Sequence, residues 1–275
     1  LCKIPSIANI TGLGTIFITN GFSTFIAKLL YKITLKFPSK IFFQNNSDLD
    51  YFSQKNLIRG CEIALLPGSG VDLTKFKFKK NPVKKEKFIF LMISRLLKDK
   101  GIYEYINAIK IIKNERPTEL IEFQLLGESN VKNKSAINLS ELNLWINQGL
   151  ITYLGLSDAV QNNIFESHCV VLPSYREGMP RSILEAFAIG RPAIVSNAPG
   201  CQDIVDHEKN GLICKVKSAE DLARKMIKMV EFPEETRVKF AENGRNKIEA
   251  YFDEKIVITK YLESIKEILN NEKNI

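Results

Sequence analysis

Histidine is scarce here: His168 and His207 are the chain's two, among 275 residues. They lie far apart and share no cluster with cysteines or acids, so no metal-ligand set emerges. His168 reads as a residue at the start of a strand. The five cysteines, Cys2, Cys61, Cys169, Cys201 and Cys214, are scattered, odd in number and without CxxC spacing. That pattern fits reduced cytosolic thiols and speaks against a zinc site. No apolar stretch reaches the ~18 residues that span a bilayer, and no signal peptide is recognisable. Internal repeats and low-complexity tracts are missing too.

What remains is an ordinary globular composition, 45 % apolar and 25 % charged, long enough for one large domain or two modest ones. Lysine and arginine outnumber the acids 39 to 31, a net charge of +8. A basic balance implies an anionic partner: nucleotide, nucleic acid or membrane surface. The lysines are spread throughout and no nucleic-acid-binding motif accompanies them, so no nucleic-acid partner is expected. The chain opens on Leu1 inside an apolar run, and we expect its natural start to lie upstream.

The chain reads as β–α units. Residues 3–10 predict a strand, followed by the turn Thr11-Gly12-Leu13-Gly14. Gly12 and Gly14 are candidates for backbone facing a cleft, with a plain turn as the alternative. Residues 22–36 predict a helix. Its Lys28, Lys32 and Lys36 form one basic stripe beside Phe22, Phe25, Ile26, Leu29, Leu30, Ile33 and Phe37. The stripe reads either as a solvated face of a helix packed on a sheet or as a surface for anionic lipid headgroups. A strand over 40–44 leads to Ser47-Asp48-Leu49-Asp50. We read this as a helix start, capped by Ser47 or Asp48, and not as a metal–nucleotide site. A strand over 62–66 ends in a glycine-rich turn.

Residues 1–73 thus hold about three units, too few for a complete doubly wound domain. Residues 74–87, polar, basic and containing Pro82, predict a linker. A second domain spans 88–250. It opens with the strand 88–94 and continues with a helix over 102–114 and a strand over 121–126. A helix over 141–147, capped by Ser140, and a strand over 151–154 follow. Ser157 and Asp158 are expected to cap the helix before the strand 169–172. Arg95 and Lys100 flank the C-terminal end of the first strand, where open α/β sheets bind ligands, and two cations there suit a diphosphate. Gly127, after the next strand, permits close approach of a base or phosphate. A short helix is expected from Ala198, then a strand at 212–214 and helices over about 218–230, 234–248 and 253–270.

The most informative stretch is Pro173 to Asn197, a strand–loop–helix–strand unit. Gly178 lets backbone approach a ligand, and Pro180 suits the start of a helix. The N–H groups of Arg181, Ser182 and Ile183 at that start favour phosphate. Glu185, one turn in, can accept two hydroxyl hydrogen bonds, as a ribose requires. Glu177 can reach a second polyol beyond the phosphates. The residues alone leave a plainer alternative: two surface glutamates at an ordinary helix start.

Pro173, Ser174, Glu177, Gly178, Pro180, Leu184, Glu185, Ala186, Ala188, Gly190, Pro192 and Val195 stand in this stretch in the order of the donor-binding segment of retaining glycosyltransferases of family 4. The resemblance implies the GT-B fold: two Rossmann-like doubly wound parallel-sheet domains, the first incomplete here, with residues 251–275 a helix packing back toward the first. It implies that Arg95 and Lys100 bind the donor diphosphate and that Glu177 lies near the donor sugar. Gly178, Met179 and Pro180 would supply the loop backbone, and Glu185 the ribose ligand. Arg181, Ser182 and Leu184 fall within the same segment. The runs NITGLG, FFQN, LPGSGVDL and NAPGCQDIV look like a bacterial subgroup that extends polyprenyl-diphosphate-linked saccharides for O-antigen, capsule or glycan. A UDP-sugar donor, a lipid-linked saccharide acceptor and no metal or other cofactor are then expected. So is a cytoplasmic location, peripheral on the inner membrane. The alternatives are a nucleotide-sugar-binding fragment without activity, or an epimerase or phosphorylase on the same fold.

Overall fold

The computed structural model describes residues 4–14, 17, 21–79 and 86–273. Its strands form two parallel sheets. The first has three strands, β1 (Ile7–Ile10), β2 (Lys40–Phe43) and β3 (Glu62–Leu65), in the order β1-β2-β3. α1 (Phe22–Thr34) and α2 (Asn46–Gln54) make the crossovers. Ile41, Phe43, Phe52 and Leu35 pack into one small core. Ring contacts such as Phe43–Phe52 at 5.2 Å fix α2 on the sheet.

The second sheet has six strands: β4 (Phe88–Ile93), β5 (Ile121–Leu126), β6 (Thr152–Gly155), β7 (Cys169–Leu172), β8 (Ala193–Ser196) and β9 (Gly211–Cys214). Their order is β6-β5-β4-β7-β8-β9, all parallel. β4, β7 and β8 are almost wholly apolar, as strands covered on both faces must be. One face carries α3 (Ile102–Glu115), α4 (Leu139–Asn147) and α7 (Ala219–Glu231). The other carries α5 (Val160–Glu166), α6 (Arg181–Ile189) and α8 (Glu234–Tyr251). Strand order reverses between β4 and β7. That reversal opens a crevice at their C-terminal ends, where such sheets bind ligands.

α9 (Glu254–Lys273) runs back to the first sheet. Tyr261 accepts from the Asn9 amide at 2.7 Å and packs edge-on to Phe42, and Glu267 accepts from Lys40 at 3.0 Å. Two chain crossings lie side by side at the junction: Val71 N–H donates to Phe252 O at 2.9 Å, and Glu254 N–H to Val71 O at 3.2 Å.

Local details differ from the sequence reading. α2 is capped by Asn45, not Ser47 or Asp48: the Asn45 side chain accepts from Asp48 N–H at 2.8 Å. α4 is preceded by Asn138, not Ser140, and the Glu141 carboxylate accepts from Asn138 N–H at 3.3 Å. α5 starts after Ala159, whose N–H donates to Ser157 Oγ at 3.1 Å. Residues 199–204 are consecutive turns and not a helix. The expected linker is bound down over its described first part: Phe76 is buried in the second unit's core, and Lys79 N–H donates to Ile189 O at 3.0 Å. Residues 80–85 of that linker lie outside the described residues.

Candidate active site in the cleft

The loops after β4 and β7 build one wall of the crevice. A 3-10 turn (Lys98–Lys100) follows β4. Asp99 O of this turn accepts from Tyr175 N–H at 2.9 Å and from Ser174 Oγ at 3.1 Å. Gly101, at φ +78°, ends the turn so close to Pro173 that a Cβ would lie 2.2 Å from its carbonyl oxygen. The two loops are thus locked together. The result is a contact that neither loop encodes alone: Lys100 Nζ lies 2.5 Å from Glu177 Oε1, both side chains mostly buried.

Arg95 stands exposed at the rim, two residues past the end of β4, and among the described residues no carboxylate pairs with it. Gly127, at φ +147°, packs on the same loop; a Cβ there would lie 1.9 Å from Ser94 O. Tyr153 donates to Gly127 O at 2.7 Å and holds it.

α6 begins after Pro180, which has no side chain to cap it. The Ile183 N–H donates to Pro180 O at 3.1 Å, so it does not face the crevice as expected. Arg181 and Ser182 carry the N–H groups that helix geometry aims at a ligand. Leu184 is fully buried in the second unit's core, so its side chain packs α6 and contacts no ligand. Glu185 is mostly buried and 3.2 Å from Arg181 Nη2. Burial pushes its carboxyl above the usual range, opposed by Arg181 and Lys75.

The first sheet closes the crevice from the other side. All three of its strand-end loops touch the Arg176–Met179 segment. Gly12, at φ +138°, has its Cβ position 3.1 Å from Gly178 N, and a Cβ on Gly178 would lie 1.8 Å from Thr11 O. Asn45 donates to Gly178 O at 3.0 Å, and Gly68 abuts Met179. Gly14 meets nothing within 4 Å of its Cβ position, so of the two candidate glycines only Gly12 reaches the loop. The structure thus brings Arg95, Lys100, Gly127, Glu177–Ser182 and Glu185 to one end of the larger sheet, and Gly12 across from them.

Sequence reasoning missed Asn45, Asp48 and Arg176. Arg176 pairs with the fully buried Asp48. Their only signal was an acid beside an FFQN run, read as a helix start. Among the described residues no group of three or more His, Cys, Asp or Glu is placed to hold a metal ion. None of the described helices is long and apolar enough to cross a membrane.

α1 is turned the unexpected way. Its buried side carries Thr24, with Leu35 just beyond it. Phe22, Phe25, Ile26, Leu29, Leu30, Ile33 and Phe37 point outward, each 40–79 % exposed. The sheet-packing alternative for this helix therefore fails for its apolar face.

The family model for glycosyl transferases group 1 matches residues 74–247. The chain is 31 % identical to an N,N'-diacetylbacillosaminyl-diphospho-undecaprenol alpha-1,3-N-acetylgalactosaminyltransferase of Campylobacter jejuni, over 98 % of this chain and 72 % of that protein. It is 28 % identical to a UDP-Gal:alpha-D-GlcNAc-diphosphoundecaprenol alpha-1,3-galactosyltransferase of Escherichia coli, over 88 % of this chain and 63 % of that protein. Among solved structures, an Anabaena protein crystallised with UDP and glucose superposes with a TM-score of 0.78 at 18 % identity, covering 96 % of this chain and 72 % of the other. A sucrose-phosphate synthase of Thermosynechococcus elongatus superposes at 0.81, with 18 % identity, covering 96 % and 68 %.

Proposed function

This chain belongs to the group 1 glycosyl transferases, and from that premise we propose that it moves a hexose or N-acetylhexosamine from a UDP-sugar to a polyprenyl-diphosphate-linked saccharide, with retention at the anomeric carbon and without a metal ion. The observation that carries this reading is the Lys100–Glu177 contact at the mouth of the β4–β7 crevice, beside the start of α6. It joins a cation suited to phosphate with a carboxylate suited to sugar hydroxyls at one point. The acceptors named for the Campylobacter and Escherichia relatives support the lipid-linked acceptor.

The chemistry follows from charge. Departure of the nucleoside diphosphate builds negative charge on its outer phosphate. Arg95, Lys100 and the Arg181 and Ser182 N–H groups take up that charge in a site already organised for it. Glu185 accepts from the two ribose hydroxyls. When donor binds, Lys100 exchanges part of its contact with Glu177 for phosphate, and Glu177 turns to the hydroxyls of the transferred sugar. Gly178, Met179 and Pro180 line the sugar and phosphate with backbone. Glu177, held by a lysine, orients the sugar and is not the nucleophile. Retention then comes from attack on the face the diphosphate leaves, with the leaving phosphate accepting the acceptor proton.

The outward face of α1 supports a membrane-surface location on the cytoplasmic side. Its seven exposed apolar side chains are flanked by the exposed Lys32 and Lys36, the arrangement that anionic lipid attracts, while Lys28 is half-buried over the Tyr51 ring. The test is UDP release from a panel of UDP-hexoses and UDP-N-acetylhexosamines, with and without polyprenyl-diphosphate saccharide. We expect acceptor-dependent release, a product with the donor's anomeric configuration by NMR, and no loss with EDTA. An inverted product or quenching by EDTA would overturn the mechanism.

A further inference from the structure

We propose that Asn45, Asp48 and Arg176 are positioning residues through which the acceptor-side unit sets the donor loop. The proposal rests on the donor-site reading of that loop. Asp48 is 0 % exposed, and a buried carboxylate is costly unless paired and hydrogen-bonded. Its partners come from both halves of the molecule. Asn45 Nδ2 donates to Asp48 Oδ2 at 3.1 Å, and the Arg176 guanidinium, from the other unit, contacts Asp48 Oδ1 through Nη2. Arg176 Nε is buried without a partner among the described residues, so the Asp48 contact is what holds this side chain.

Asn45 does three things at once. Its oxygen caps α2, and its amide donates to Asp48 and to Gly178 O at 3.0 Å. Arg176 and Gly178 are the chain neighbours of Glu177 on either side. Both are therefore gripped by one cluster at the start of α2, while Glu177 N–H is held from behind by Pro199 O at 3.1 Å. Thr11 O, packed where a Gly178 Cβ would be, blocks the loop from sliding forward. The carboxylate that faces the transferred sugar thus has its backbone fixed by the opposite half, and it is in place only when the halves are together. A charged, desolvated link of this kind acts as a unit and is broken by loss of either partner.

The experiment compares wild type with Asp48→Asn, Arg176→Gln, the double variant and Arg176→Lys. UDP affinity is read by calorimetry, kcat and KM from UDP release with acceptor, and folding by thermal melting. Arg176 keeps some solvent exposure, so Arg176→Gln provides the test if Asp48→Asn does not fold. We expect kcat to fall about tenfold in each single variant with UDP affinity within about twofold. The double variant should be no slower than the slower single, and Arg176→Lys should recover most of the rate. Unchanged kcat, additive losses in the double variant, or UDP affinity and Tm falling in step with kcat would each overturn the network. A wild-type chain that binds no UDP would overturn the donor-site reading and the network together; wild-type turnover with unaffected variants would overturn the network alone.

Discussion

Lys100 and Glu177 stand 77 positions apart in the chain and 2.5 Å apart in the structure. The contact exists because strand order reverses between β4 and β7, which sets the loops that follow them side by side. It brings together the cation and the carboxylate that the proposed transfer needs.

Lys100→Met should therefore lower kcat by roughly 10²-fold, the usual scale for removing one group that stabilises developing negative charge. Steady-state UDP release measures it. A change of less than about threefold would remove Lys100 from the diphosphate site.

Glu185 makes the pH behaviour predictable. Burial raises its pKa in the free protein, and two ribose hydroxyls donating to the ionised form would lower it again. Binding then releases a proton, so affinity is greatest above the raised pKa and declines as pH falls through it. Calorimetry with UDP from neutral to acid pH should show a steeper loss for wild type than for Glu185→Gln. Parallel curves would place the ribose elsewhere. The same shift acts on folding: its favourable contribution is complete below the ordinary carboxylate pKa and lost as pH rises through the raised one. Glu185→Gln should accordingly raise the Tm of the free protein near neutral pH, and the difference should vanish in acid.

Two glycines separate packing within a unit from packing across the cleft. Gly127→Ala puts a Cβ 1.9 Å from Ser94 O at a φ of +147°. It should cost about 2 kcal/mol or more in urea unfolding. Gly178→Ala puts a Cβ 1.8 Å from Thr11 O, an atom of the other unit. The halves can part to relieve it, so we expect activity to collapse with little loss of Tm and a larger radius of gyration by solution scattering.

The α1 face should bind vesicles containing anionic lipid. Lys32→Glu with Lys36→Glu should weaken that binding by at least tenfold, since each lysine near such a surface is worth about 1 kcal/mol. Sedimentation with neutral and anionic vesicles measures it. Equal binding to both, or an unaffected variant, would leave α1 without a lipid-facing role.

The order of strands and helices in the larger unit was legible in the sequence because its signals are local. Runs such as Phe88–Ile93 and Cys169–Leu172 are apolar on both faces, and Pro173 ends the second of them. The Glu177–Glu185 segment was legible for the same reason: loop, helix start and carboxylates sit within one unit. Caps were less readable. Asn45, Ser47 and Asp48 are all competent, and only the backbone path selects Asn45.

Tertiary structure alone decided what depends on distant partners. Arg191 would be placed on the surface by its charge, yet it is 1 % exposed and satisfied by the carbonyls of Phe165, Lys79 and Gly190, with burial drawing its pKa down to about 10. The amphipathic pattern of α1 gave the right helix but not the side that faces inward, because periodicity defines a stripe and not its neighbour. Asp48 looked like part of an ordinary helix start until the second unit brought Arg176 to it. The sequence by itself determined the elements and the chemical types at the crevice; the meeting of Lys100 with Glu177 and the contacts of Asn45 and Asp48 with the Arg176–Gly178 loop are long-range, set only when two sheets pack with their C-terminal ends face to face.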